Sequence, residues 1–303
     1  MFEKRDELKP NSKYWADQCV RYFAEVQLGS YLTECLIDQA AIYLDLSQIE
    51  HTNAERFREI AREGDAAMTR AASVAQGNQK ADVLRISSRF YYNLARPRDG
   101  MLSSEWSNDY LALALNRAEA AYNSQPENLL NLTQFSRALQ RFAANPPQLD
   151  DALWTEKLRS VQAIMAQAYK SKVETLQTPT ARIPPANILA VITMDLARRE
   201  WQASSRSSAD AQYALRLLTE ESLQPQRDAW AMVDKTEWAK DYSFDLNYDL
   251  ARIKSVITQI LDAVGDVRAD DMFRQALQSM SAAVGAASAI QLKATAASIR
   301  GEP

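Results

Sequence analysis

The sequence predicts an all-α protein: stacked antiparallel helix pairs, about twelve helices in all, forming an α-solenoid or an irregular helical stack. Three observations carry this. First, the 303 residues hold seven glycines and ten prolines, with many of the prolines between periodic segments. Second, Ala, Leu, Gln, Glu and Arg dominate, a composition that favours helix almost throughout, and no run of alternating β-branched residues reads as a strand. Third, residues 110–141 read as helix, tight turn, helix, and the rest of the chain repeats that character.

Taken in order, Ser12 is expected to cap a first helix with Trp15, Cys19, Tyr22, Phe23 and Val26 on its apolar face. Gly29 and Ser30 stop it and open a second helix to about Ile49, with Leu32, Leu36, Ala40 and Tyr43 on one face. Thr52 or Asn53 caps a third helix through Ala75, closed by Gly77, with a candidate kink at Gly64-Asp65. A fourth spans 81–95 and stops before Pro97. Ser103 or Ser104 caps the fifth, whose residues Ala114, Ala118 and Ala121 make a smooth face flanked by Leu111, Leu115 and Tyr122. Pro126 ends that helix and suits the first turn of the sixth, with Glu127 at its positive end. The sixth puts Leu132, Phe135, Leu139 and Phe142 on one face.

The segment 145–148, Asn-Pro-Pro-Gln, is a break. Asp150 or Asp151 then caps a long helix through Val161, Ile164, Met165, Ala168 and Tyr169 to about Leu176. Residues 178–185 are the most linker-like in the chain. They leave either a single repeat-like domain over 1–303 with a long turn, which is the preferred reading, or a subdivision near 177–186. Helices at 188–203 and 209–223 follow, the second closed by Pro225. A short helix carries Trp230, Val233 and Trp238. A long one has Leu250, Ile253, Val256, Ile257, Ile260 and Leu261 in core spacing and ends at Gly265. The last begins near Asp270 and becomes alanine-rich, a surface that could close the stack or mediate homo-oligomer formation.

Ala114, Ala121, Pro126, Leu132, Phe135, Ser136 and Leu139 together resemble the junction between two tetratricopeptide (TPR) repeats. In that family the second helix of a repeat carries small residues and a closing Pro, and the next helix carries large, large, small, large. Ser136 stands where a small Gly is usual, and Leu84, Ser88 and Tyr91 form an upstream counterpart. The spacing is irregular, because Ala114 follows the upstream helix later than a repeat of about 34 residues requires, and 96–103 reads as part of an insertion.

Function is read largely from exclusions. The net charge of −4, with signs mixed, lacks the basic stripe of a nucleic-acid binder, and no apolar run has the length of a membrane span. The start, MFEKRDELKP, is too charged for a secretory signal. The expected location is cytoplasmic, the alternative being an exported protein whose leader has been removed. Cys19 and Cys35 are expected as buried reduced thiols, with a disulfide pinning the first two helices as the alternative. His51 is the sole histidine, which excludes a His-based metal cluster. No phosphate-binding Gly loop or nucleophile elbow is present. Asp150-Asp151 and Asp270-Asp271 read as helix caps rather than Mg²⁺ ligands. No cofactor is expected. These exclusions point to a non-enzymatic scaffold or adaptor, with a helical small-molecule-binding protein or an all-α enzyme as the alternative.

The repeat register selects the candidate residues. If Leu84 and Leu132 are equivalent, then Arg85, Arg89, Tyr92 and Asn93 face one groove together with Thr133, Arg137, Gln140 and Arg141. Four arginines with amides and a Tyr suit an acidic peptide, since Arg bonds carboxylates bidentately and amides satisfy peptide backbone; the resemblance to TPR grooves that hold an acidic chain end implies the same. An ordinary solvated helix face is the alternative. A second surface combines Trp238, Tyr242, Phe244 and Tyr248 with Asp241, Asp245 and Asp249, and would contact a basic partner. Trp154, Trp201 and Trp230 read as core.

Overall fold

A computed structural model describes residues 2–49, 53–95, 104–144, 151–233 and 242–300; within these, the side chains of 2–12, 48–49, 104–105, 179 and 287–300 are left aside. The described residues contain helices and turns and no strand. The helices are α1 (Phe2–Glu25), α2 (Gly29–Ile49), α3 (Ala54–Val74), α4 (Gln79–Leu94), α5 (Ser104–Ser124), α6 (Leu129–Ala144), α7 (Asp151–Lys172), α8 (Pro179–Ala203), α9 (Ser208–Arg216), α10 (Leu223–Val233), α11 (Ser243–Ala263) and α12 (Ala269–Arg300). They fall into two compact units, one of Met1–Pro146 with Thr295–Pro303 and the other of Pro147–Ala294.

In the first unit each helix packs on the next, and α2, α4 and α6 also pack on one another in series. The sequence shows why. Leu36, Leu84 and Leu132 follow at equal intervals, and all three are buried. The same interval aligns the small residues Ala40, Ser88 and Ser136, then Tyr43, Tyr91 and Leu139, then Ser47, Ala95 and Ala143, every one of them buried. A large, small, large pattern thus recurs three times, and the small residue lets the neighbouring helix approach. The alternate helices fit in between: Ala114, Ala118 and Ala121 of α5 are fully buried, and Asn131 at the start of α6 donates its side-chain amide to Ala121 O at 3.3 Å.

The ends of these helices have identifiable chemistry. Asn53 caps α3, accepting from the amides of Glu55 and Arg56 at 3.0 Å each. Gly77, just beyond α3, has φ +54, a left-handed conformation that glycine adopts without penalty. Asn128 caps α6 through Leu130 N at 3.0 Å; α6 therefore starts later than expected, and Pro126 lies in the turn. α3 runs without a break through Gly64-Asp65. At α1 the expectation fails in a different way. Its helix begins at Phe2, so Ser12 is not its cap. Trp15 and Tyr22 are 68% and 59% exposed, while Ala16 and Val20 are buried. The buried face also brings Cys19 against Cys35 of α2, and the two form a disulfide with Cα atoms 5.8 Å apart. The expectation of reduced thiols is corrected.

In the second unit α8 packs against α7, α9, α10 and α11. Its core gathers Val191, Met194, Trp201, Leu218, Ile253, Ile257 and Ile260 among others. The linker-like segment 178–185 is the opening of α8: Thr178 is its cap, accepting from Ala181 N at 3.3 Å, and Pro179 takes the first turn, where its missing N–H costs nothing. Pro225 does not end its helix either. A π-helical turn, Leu217–Ser222, joins α9 to α10, and Leu223 N–H reaches back five residues to Leu218 O. This wider turn precedes Pro225, whose ring would crowd the carbonyl four residues earlier in a regular α-helix. Ser222, at the end of the turn, donates to Ala190 O at 2.8 Å. Ser207 and Asp210 form a capping box on α9. Trp154 and Trp201 are buried and Trp230 half-buried.

Candidate partner-binding face

Arg85 and Arg89 lie one turn apart on α4, and Arg137 and Arg141 one turn apart on α6, so each pair shares a helix face. The two helices pack on each other and are joined by a buried bond in which Gln134 donates its side-chain amide to Ser88 Oγ at 2.9 Å. The equal interval makes Arg89 and Arg137 equivalent positions, and likewise Asn93 and Arg141.

The arginines differ in their commitments. Arg85 pairs with Asp82 on its own helix at 3.1 Å. Its Nε–H is buried with no acceptor among the described residues. Arg89 is exposed, Arg137 and Arg141 are half-buried, and among the described residues none of the three has a recorded salt bridge. Tyr92 and Asn93 are half-buried. Thr133 and Gln140 are buried, and the Thr133 hydroxyl is spent on Leu129 O at 2.7 Å. The accessible chemistry of this face is therefore mainly guanidinium, with Gln140 lying deeper than its sequence position indicated.

Tyr242 is the residue before α11 and is half-buried. Phe244 and Tyr248 are exposed and stack on each other with centroids 6.1 Å apart and planes 15° from parallel. Arg252 lies over the Tyr248 ring at 5.9 Å, so part of this aromatic surface already holds a cation. Trp238, Asp241 and His51 lie outside the described residues. Asp151 sits in the first turn of α7, and Asp270 and Asp271 in the first turn of α12, where carboxylates favour the positive helix end.

Neither a protein-family model nor a curated protein matches the chain. Solved structures that show likeness to it include two of repeat or oligomer type. One is a circular tandem repeat protein with a novel repeat topology and enhanced subunit contact surfaces, at 16% identity and TM-score 0.38, over 94% of this chain and 64% of that one. The other comes from the computational design of self-assembling cyclic protein homooligomers, at 15% identity and TM-score 0.23, over 91% and 97% of the two chains. This chain thus spans less than two thirds of the first protein's length. Among the described residues, no helix is long and apolar enough to cross a membrane.

The sequence pointed to the α4 and α6 residues through their register. It did not point to a second pair of arginines, Arg198 and Arg252, although a signal was present: the tetrapeptide Asp-Leu-Ala-Arg occurs at 195–198 and again at 249–252, on the packed helices α8 and α11.

Proposed function

We propose that the chain is a non-enzymatic helical-repeat scaffold that takes an acidic peptide or protein segment along the α4–α6 face. The observation that supports this is two pairs of arginines, each pair one turn apart, on the packed helices α4 and α6. One has a buried N–H without an acceptor, and three have no recorded salt bridge among the described residues. Guanidiniums in such a row match successive carboxylates bidentately. The finer likeness is to TPR repeats: α2, α4 and α6 correspond to first helices, α3 and α5 to second helices, and the arginines fall where TPR proteins present side chains to a ligand. The Cys19–Cys35 disulfide supports the exported alternative over a cytoplasmic one, because such bonds persist in oxidising compartments.

The test is titration of a fluorescent Asp/Glu-rich peptide into the wild type and into an Arg89→Glu/Arg137→Glu/Arg141→Glu variant, with circular dichroism on both. The expected result is binding that weakens with salt and falls at least about tenfold in the folded variant, the equivalent of 1.4 kcal/mol. A folded variant that binds as tightly as the wild type removes this face from the interaction.

A further inference from the structure

The second unit contains a cleft of about 220 Å³ bordered by α8, α11 and α12. Its polar lining is Arg198, Arg252, Ser255 and Gln259, and Met194, Val256 and Met280 supply most of the rest. Behind the arginines lies Asp195, 1% exposed. Its Oδ1 is 3.2 Å from Arg198 and 3.8 Å from Arg252. Arg252 also meets Asp249 at 3.1 Å, and Asn187 donates to the other oxygen of Asp249 at 3.0 Å.

Asp195 thus lies within ion-pair reach of both guanidiniums, and both arginines line the cleft. A guanidinium has five N–H donors, and the recorded ion pairs use only part of them. Arg198 Nε–H in particular is buried with no acceptor among the described residues, a cost that a ligand oxygen would remove. Burial raises the pKa of Asp249, against the opposing pull of Asn187 and Arg252. Both arginines close an Asp-Leu-Ala-Arg turn, one on each wall. Met194, Val256 and Met280, one from each of the three bordering helices, offer nothing to a fully hydrated ion but suit a short apolar tail.

We propose that this cleft binds a carboxylate with a short apolar tail, the carboxylate on Arg198 and Arg252 and the tail along Met194, Val256 and Met280. The volume, below the roughly 300–1,000 Å³ of sites for drug-sized ligands, limits the tail to a few carbons. Two sources share this chemistry: a free short-chain acid, and the C-terminal carboxylate of a peptide ending in an apolar residue. The site is separate from the α4–α6 face and stands or falls without it.

The experiment is calorimetric titration of the intact chain with hexanoate, hexanol, hexylamine and inorganic phosphate, and with a peptide ending in leucine, with either a free or an amide-capped terminus. Binding of hexanoate or of the free-terminus peptide, with none of hexanol, hexylamine or the capped peptide, supports the proposal. Binding by the peptide alone assigns the site to chain ends, and binding by hexanoate alone assigns it to free acids. Arg198→Met is expected to weaken the acid at least tenfold. Met280→Trp, which fills the cleft and leaves both arginines in place, is expected to abolish binding, and it keeps the test valid if Arg198→Met does not fold. Neither the acid nor the free-terminus peptide binding, hexanol binding as well as hexanoate, phosphate binding more tightly than hexanoate, or unchanged binding in Met280→Trp would each overturn the proposal.

Discussion

Gly64 of α3 lies so close to Phe90 of α4 that a Cβ placed on it would come within 2.7 Å of the ring Cζ and 3.1 Å of Tyr43 Cβ. Phe90 is itself buried and edge-on to Tyr91 at 5.4 Å, so the ring has little room to retreat. Helix propensity alone would make Gly64→Ala stabilising by about 1 kcal/mol. Overpacking costs roughly 1–3 kcal/mol and should win. Urea unfolding of Gly64→Ala is expected to show a net loss; a gain in stability would mean that the three helices have slack at this crossing.

Reducing the Cys19–Cys35 bond releases a link between residues separated by 16 positions. Loop-entropy reasoning puts the expected loss at about 3 kcal/mol. α1 has a neighbour on its α2 side and exposes Trp15 and Tyr22 on the other, so it should loosen first. Hydrogen exchange of a Cys19→Ser/Cys35→Ser variant should show faster exchange in α1 than in α5. Uniform change across the unit would contradict this.

Tyr91 donates its hydroxyl to Asp65 of α3. Burial first, and then the Asp65 carboxylate, raises its pKa above the ordinary 10.0. Tyr169, bonded to Asp228 at 3.2 Å, is raised for the same two reasons. A raised tyrosine pKa means that the folded chain holds its proton more tightly than the unfolded one. The stabilisation is complete below the unfolded value near 10 and is lost as pH climbs from there toward the folded value. Alkaline melting curves should therefore fall above about pH 10, and a Tyr91→Phe/Tyr169→Phe variant should fall less steeply. Identical slopes would show that these hydroxyls are not the groups responsible.

Asp195→Asn removes the carboxylate that lies within ion-pair reach of both Arg198 and Arg252. Breaking a fully buried pair costs about 3–5 kcal/mol. Here both guanidiniums are partly exposed and can regain water, so a smaller but measurable loss is expected in chemical unfolding. Stability equal to wild type would mean that the arginines are held by Asp249 and their own packing.

Much of the fold could be read from residue spacing, and the exceptions share a cause. Ala114, Ala118 and Ala121 point to a close-packed face because small side chains at helical spacing let a second helix approach, and all three are buried. On α1 spacing put the large residues Trp15 and Tyr22 on the apolar face, whereas the smaller Ala16 and Val20 are the buried ones; which face is buried depends on the partner helix. Pro225 read as a stop because the π turn that accommodates it depends on Ser222 reaching Ala190 across the unit. At the candidate site the register selected Arg85, Arg89, Arg137 and Arg141, which fall in pairs one turn apart on the packed helices α4 and α6. Register alone could not show that Gln140 is buried. The Arg198–Arg252 pair is a tertiary meeting of two helices, and only the repeated tetrapeptide hinted at it.

Because Leu36, Leu84 and Leu132 stand at one interval, the first unit is graduated like a ruler whose smallest division is a whole helix pair. Excising residues 84–131 would splice Val83 to Leu132 with every seam position still in phase. Excision of a few residues more or fewer would rotate the apolar stripe out of its seam. Growth and shortening of this region are thus confined to steps of one pair, and a chain altered by such a step would keep its packing while its reach along the stack changed by a fixed amount.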